Sequence, residues 1–225
     1  MEKYISQLKK SPLFTGFSDA DIQKLCNCLT AREKAVAEDA FVFRVGDDVR
    51  SVYLILSGSM HIVDEDFWGN RSIIETMDAY TLFGEAYALS TTKQHLVSVM
   101  AAEDSAVLEI DPVRLFETCT SDCACHNKLI QNTMRLLSEK IIRLTEKLGH
   151  IAQRSIREKT LSYLSKCARQ AHNSAFIIPY SRQQLADYLC VDRSALSHEL
   201  SKLQSRGMIC YRKNHFELLV SVPGN

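Results

Sequence analysis

Residues 181–208 read SRQQLADYLCVDRSALSHELSKLQSRGM, and the caps and leucines of this stretch decide the fold. Ser181 with Gln184 three residues on is the capping-box pattern that opens a helix. Leu185 and Leu189 give that helix one apolar face, and Cys190-Val191 closes it with a tight turn. Asp192 then caps a second helix, Arg193 to Ser205, whose Leu196, Leu200 and Leu203 face the first. Small Ala186 lets the two helices cross closely. Gly207 ends the second helix. Beyond it, Met208–Arg212 and Phe216–Val220 alternate around Lys213-Asn-His as a hairpin. Upstream lie a helix over Ser155–Gln170, with Ile156, Leu161 and Leu164 inward, and a short strand at Phe176-Ile-Ile that Pro179 stops. Two short capped helices, a turn and a hairpin make a winged helix-turn-helix.

The polar face of the second helix points to its partner. Arg193, Ser194, Ser197 and His198 lie together opposite the leucines, with Ser201 and Lys202 one turn further on. Hydrogen-bonding side chains of moderate length near a helix N-terminus are what reading a DNA major groove requires. Charge agrees. The chain holds 27 Lys and Arg against 27 Asp and Glu, but residues 151–225 hold 11 against 5, which leaves 16 against 22 in residues 1–150. A basic C-terminal third behind an acidic remainder suits a nucleic-acid module joined to something else.

Moving toward the N-terminus, Ile130, Met134, Leu137, Ile141, Leu144, Leu148 and Ile151 alternate steps of four and three. This a/d seam, with Arg135, Glu139, Lys140 and Glu146 on other faces, predicts a long helix facing a second copy of itself. Before it come short β-branched or alternating runs: Phe41-Val-Phe, Val52-Tyr-Leu-Ile-Leu, Met60-His-Ile-Val, Ser72-Ile-Ile, Val97-Ser-Val-Met and Val107-Leu-Glu-Ile. Turns at Gly46-Asp47, Ser57-Gly58 and Gly69-Asn70 separate several of them, as in an antiparallel sandwich or roll. At the start, Ser18 caps a helix carrying Ile22, Leu25 and Leu29. The expected class is therefore α+β. An antiparallel β-roll of the jelly-roll kind, a double-stranded β-helix, occupies 1–125. A dimerisation helix follows over 126–152, and a winged helix-turn-helix over 153–225.

With 225 residues, 46% of them hydrophobic, the chain has enough apolar material for a packed core and is not a disordered protein. No uncharged apolar run reaches membrane-spanning length, and MEKYISQLKK carries no apolar signal core, so a cytoplasmic protein is expected. Eight Cys in such a chain argue for thiols or ligands rather than a disulfide scaffold.

The order β-roll, long helix, winged helix-turn-helix resembles the Crp/Fnr superfamily of bacterial transcription regulators over nearly the whole chain. Gly46-Asp47, Tyr53-Leu-Ile-Leu-Ser-Gly58 and Phe83-Gly84-Glu85 match its cyclic-nucleotide-binding-like roll. Arg182-Gln-Gln-Leu-Ala-Asp, Asp192-Arg-Ser-Ala-Leu-Ser and Leu200-Ser-Lys-Leu match its DNA-binding module and are the more specific set. The resemblance puts Arg193, Ser194, Ser197 and His198 at base-reading positions and Arg182 at that of a phosphate-contacting arginine. At the His198 position the family often has Arg. A homodimer on a near-palindromic operator, working with RNA polymerase, is implied.

In the roll the resemblance carries a departure. Members that bind cyclic nucleotides follow the Gly-Glu with an Arg-Ser that neutralises and hydrogen-bonds the cyclic phosphate, while the Glu accepts from the ribose. Here Gly84 and Glu85 remain, but the Arg-Ser positions read His95-Leu96. A neutral imidazole and an isobutyl group do not replace a guanidinium and a hydroxyl against phosphate. The expectation is no tight cyclic AMP binding. The cofactor is left unnamed, and a small effector with an apolar part is expected near Glu85, His95 and Thr145. A structural role for Glu85 inside the roll is the other reading.

Oxygen-sensing relatives hold an iron–sulfur cluster on a cysteine group ahead of the roll. Here only Cys26 and Cys28 stand there, so that site does not transfer. Cys119, Cys123 and Cys125, with His126, form a denser group. Thiolates suit zinc and clusters alike, which leaves a redox- or metal-sensing regulator as the alternative. The spacing matches no standard site, so thiols without metal are the expectation. Cys167, Cys190 and Cys210 read as core positions. No Cys-x-x-Cys or phosphate-cradling glycine loop supports an enzyme.

Overall fold

A computed structural model describes residues 5–65, 68, 71–92, 94–116 and 124–219. The chain divides into two compact units, Met1–Leu137 and Ser138–Asn225.

The first unit opens with α1 (Ile5–Leu8), a 3-10 turn (Pro12–Phe14) and α2 (Asp19–Cys28). Ser18 caps α2 as expected, and Asp21 completes a capping box. Eight strands follow: β1 (Arg32–Val36), β2 (Phe41–Phe43), β3 (Val52–Ser57), β4 (Ser59–Glu65), β5 (Arg71–Asp78), β6 (Leu82–Phe83), β7 (Ser98–Ala101) and β8 (Ser105–Ile110). They pair into two antiparallel four-stranded sheets, β1-β8-β3-β6 and β2-β7-β4-β5. Between β6 and β7 lies α3 (Glu85–Ala88); after β8 come α4 (Pro112–Phe116) and α5 (Ala124–Ile151), whose residues from Ser138 on belong to the second unit.

The run Val52-Tyr-Leu-Ile-Leu is apolar throughout because β3 is covered on both faces. Tyr53 and Ile55 join Phe43, Met60, Phe83, Val99 and Val107 in the roll interior. Val52, Leu54 and Leu56 point the other way, into a layer with Leu13, Phe14, Leu25, Leu115 and Leu129. Alternation on a half-buried strand disappears when both faces are dry. Strand β1 carries no apolar run, because only Val36 of its residues is buried.

In the second unit, α6 (Ile156–Ala171) starts at a Ser155–Glu158 capping box. Then come β9 (Ala175–Ile177), α7 (Arg182–Leu189), α8 (Arg193–Ser205), β10 (Ile209–Arg212) and β11 (His215–Leu218). The three strands form one antiparallel sheet, β10-β11-β9. Leu164, Leu185, Ala186, Leu189, Leu196, Leu200 and Leu203 are all fully buried in one cluster with Ile209 and Phe216.

Two cysteines expected in the core are not there. Cys190 and Cys210 are exposed, and Cys167 is partly buried. Cys190 is the left-handed C-cap of α7, and Cys210 alternates out of phase with buried Ile209.

Candidate nucleic-acid interface and sensor pocket

Both helices of the helix-turn-helix start at side-chain caps. The Ser181 hydroxyl accepts from the Gln184 amide while the Gln184 side chain accepts from the Ser181 amide. The Asp192 carboxylate accepts from the Ala195 amide at 2.9 Å and from the Ser194 hydroxyl. Those two bonds, the hydroxyl's first, hold the Asp192 carboxyl below its usual range. The caps fix where α8 begins, and so which residues occupy its first turns.

Arg193, Ser194, His198, Ser201 and Lys202 are exposed and Ser197 is partly so, opposite the buried leucines. The serine hydroxyls are engaged along the helix: Ser197 donates to Arg193 O at 2.9 Å and Ser201 to Ser197 O at 3.0 Å. Each keeps acceptor capacity and can rotate its proton toward a base edge. Arg182, at the first position of α7, lies over two aromatic rings, 5.0 Å from the centre of Tyr211 and 5.7 Å from that of Phe216. Burial lowers its pKa, and a guanidinium shifted downward remains charged. The stacking ties the start of α7 to the hairpin of β10 and β11, an arrangement the sequence reading did not foresee.

The roll places its two candidate ligand residues differently. Gly84 adopts φ +81, where a Cβ would stand 3.2 Å from Ser51 O. It caps α3, and Glu85 behind it is buried. His95 is 2% exposed and stacks on Phe43 with ring centres 3.6 Å apart, and it meets Tyr87 edge-on at 5.0 Å. Phe43 continues into Tyr53 and Phe83. The backbone of His95 is clamped as well, donating to Asp47 O and accepting from Gly46 N, both at 2.9 Å. Burial pushes the His95 pKa down, against a smaller opposing pull from Asp47. Its Nδ1 is buried with no hydrogen-bond partner among the described residues. Leu96 is 66% exposed. A neutral ring held in an aromatic stack offers a phosphate no charge. Thr145 belongs to the second unit and is exposed on α5.

Along α5, Met134 is 62% exposed, Ile141 63%, Leu144 47% and Leu148 60%, while Ile130, Leu137 and Ile151 are partly buried. Cys125 donates to Asp21 at 3.4 Å. Cys119 and Cys123 lie outside the described residues. Among the described residues no three metal-ligating side chains converge, and no helix is long and apolar enough to cross a membrane.

Comparison with known proteins adds to this geometry. The family description "Cyclic nucleotide-binding domain" matches residues 33–122, and "Crp-like helix-turn-helix domain" matches residues 158–220. The regulatory protein HlyX of Actinobacillus pleuropneumoniae is 24% identical over 199 residues, 85% of this chain and 79% of its own. The fumarate and nitrate reduction regulatory protein of Vibrio cholerae is 23% identical over 195 residues, 84% and 75% of the two chains. Among solved structures, the global regulator CLP of Xanthomonas campestris, described as responsive to c-di-GMP, superposes with a TM-score of 0.57 at 20% identity, over 91% of this chain and all of that one.

Proposed function

This chain belongs to the Crp/Fnr superfamily of DNA-binding transcription regulators, and we propose that it reads a near-palindromic operator as a homodimer under the control of an effector other than cyclic AMP. The observation that carries the reading is α8: three fully buried leucines on one side, and Arg193, Ser194, Ser197, His198 and Lys202 on the other. Arg193 is the base-reading arginine, suited to the O6 and N7 of a guanine. Arg182 grips phosphate from its seat on Tyr211 and Phe216. Ser194, Ser197 and His198 supply shorter contacts to base edges, and Lys202 meets the backbone one turn on.

The dimer is built on α5. Four seam side chains that stay between 47% and 63% exposed within one chain lose that exposure when an identical helix lies alongside. Two recognition helices then enter successive major grooves, roughly 34 Å apart, which makes the operator symmetric. The effector site includes Gly84, Glu85 and His95. Aromatic walls and a neutral imidazole favour a ligand with an apolar part over a cyclic phosphate. A regulator of this kind works in the cytoplasm, with RNA polymerase as its partner at the promoter.

Selection of bound sequences from random duplex DNA by the full chain tests the reading. It predicts a symmetric consensus with two half-sites one helical turn apart. Binding with no sequence preference, or to one asymmetric site, contradicts it. Titration calorimetry with cyclic AMP is the companion experiment: no heat of binding is expected, and micromolar affinity overturns the effector argument.

A further inference from the structure

The last two turns of α5 are bound to the winged module by side chains that neither DNA reading nor the seam uses. Glu146 and His150 lie four residues apart on one face of α5, and Ser162 and Lys166 lie four apart on one face of α6. Lys166 donates to Glu146, and His150 Nδ1 stands 2.8 Å from the Ser162 hydroxyl. The partners run in opposite order, 146 with 166 and 150 with 162, as two antiparallel helices joined by the short connection 152–155 require. They form two rungs one helical turn apart.

Both rungs are sheltered. As side chains Lys166 is 18% exposed and Glu146 34%, so solvent screens this pair less than an open surface pair. His150 is 5% exposed and packs against Tyr163, edge-on at 5.8 Å, and against Tyr188, with ring centres 6.3 Å apart. Its Nε2 is buried with no hydrogen-bond partner among the described residues, so the ring carries its proton on Nδ1 and donates it to Ser162. Tyr188 belongs to α7, the first helix of the helix-turn-helix, and lies 5.4 Å from Tyr163 of α6. Lys147, next to Glu146, adds its ammonium 5.7 Å from the centre of the Tyr188 ring. The clamp thus reaches from α5 through α6 to α7.

The seam runs along a different side of the same helix. Glu146 and His150 each stand two residues beyond a seam leucine, Leu144 and Leu148, which puts them about 200° around the axis. One stretch of α5 therefore carries the dimer contact on one side and the winged module on the other. A single rung is a pivot, whereas two resist both swinging and rolling. We propose that Glu146, His150, Ser162 and Lys166 are positioning residues for operator reading: they lock the module to α5, and so set the half-site spacing that the dimer accepts. The inference rests on the homodimeric reading given above. One base pair added between the half-sites turns one against the other by about 34° and moves it by about 3.4 Å. A locked module cannot follow that change; a module released to swing about the connection 152–155 can.

The test measures the affinity of the full chain for its selected operator, for that operator with one base pair inserted at its centre, and for a duplex carrying a single half-site. In the wild-type chain the insertion is expected to weaken binding roughly tenfold or more. Glu146→Lys is expected to shrink that penalty to about threefold or less and to leave half-site affinity unchanged. Adding Lys166→Glu re-forms the pair with its charges swapped and is expected to bring the penalty back. A penalty undiminished in Glu146→Lys overturns the proposal, and so does one that the swapped pair fails to restore. If Glu146→Lys no longer binds the half-site, Ser162→Ala, which removes only the hydroxyl that receives the His150 proton, decides by the same comparison. A wild-type chain that selects no symmetric operator counts against the homodimeric reading, and the clamp is then judged without DNA. The amides of Ala152 and Gln153, bonded to Leu148 O at 2.9 Å and His150 O at 3.3 Å, are expected to exchange hydrogen several-fold faster in Glu146→Lys and at the wild-type rate in the swapped pair. Exchange unchanged by Glu146→Lys overturns the proposal.

Discussion

Placing a carboxylate at the centre of the α5 seam is expected to break the dimer without unfolding the chain, and the size of the effect follows from exposure. Ile141 is 63% exposed in the single chain, so a facing helix has that fraction left to cover. Full burial of a side chain of this size is worth about 2 kcal/mol, which leaves about 1.3 kcal/mol per chain and about 2.5 kcal/mol per symmetric dimer. Losing that contribution in Ile141→Asp weakens association roughly 60-fold. Two carboxylates brought together across the seam add repulsion and desolvation, so the figure is a lower bound. Sedimentation equilibrium over a dilution series measures the constant. Arg143→Asp, on an exposed position off the seam, introduces the same side chain with a larger change of charge and is expected to leave association near the wild-type value. Circular dichroism is expected to show unchanged helix content in both variants. A dissociation constant for Ile141→Asp within about threefold of wild type refutes the seam, since the change is then far below the calculated loss.

Arg182→Ala is expected to weaken binding to all DNA sequences alike and to flatten the dependence of affinity on salt, measured by fluorescence anisotropy at several salt concentrations. Ser181→Ala removes the capping hydroxyl of α7 and is expected to cost about 1 kcal/mol of stability in denaturant titration. Acid is expected to destabilise the second unit. Burial lowers the pKa of His150, whose Nδ1 lies 2.8 Å from the Ser162 hydroxyl beside Tyr163. The folded state therefore binds fewer protons than the unfolded one, and the contribution present above the ordinary histidine value near 6.5 is lost as pH falls through it. His95 acts in the same direction in the roll. Thermal midpoints at pH 7.5 and 5.5 check this, with a smaller difference expected in His150→Gln.

Much of the winged module was legible because its signals are local. Ser181, Gln184 and Asp192 cap helices within three residues of themselves, and the leucines repeat at a period that one face of a helix dictates. The long helix was legible from its a/d spacing. Strand β1 escaped, because an edge segment reading Arg-Glu-Lys-Ala-Val with one buried residue has no apolar pattern. Strand β6 is two residues long, too short to carry a period. Cys190 and Cys210 were misplaced because cysteine identity says little about burial, whereas a left-handed cap and strand phase say more. Substitution of the phosphate-binding pair was visible as His95-Leu96, but the Phe43–His95 stack joins residues 52 positions apart and leaves no mark on neighbouring sequence. The same holds for Arg182 over Tyr211.

The central claim, that α8 reads bases through Arg193, is tested most directly by operator selection with wild-type and Arg193→Ala chains side by side. The wild-type chain is expected to return a near-palindrome with one strongly preferred guanine in each half-site. Arg193→Ala is expected to lose preference at that base pair alone, with about 1–3 kcal/mol of affinity for the wild-type site. An unchanged consensus in Arg193→Ala means that another element reads the DNA, and contradicts the assignment.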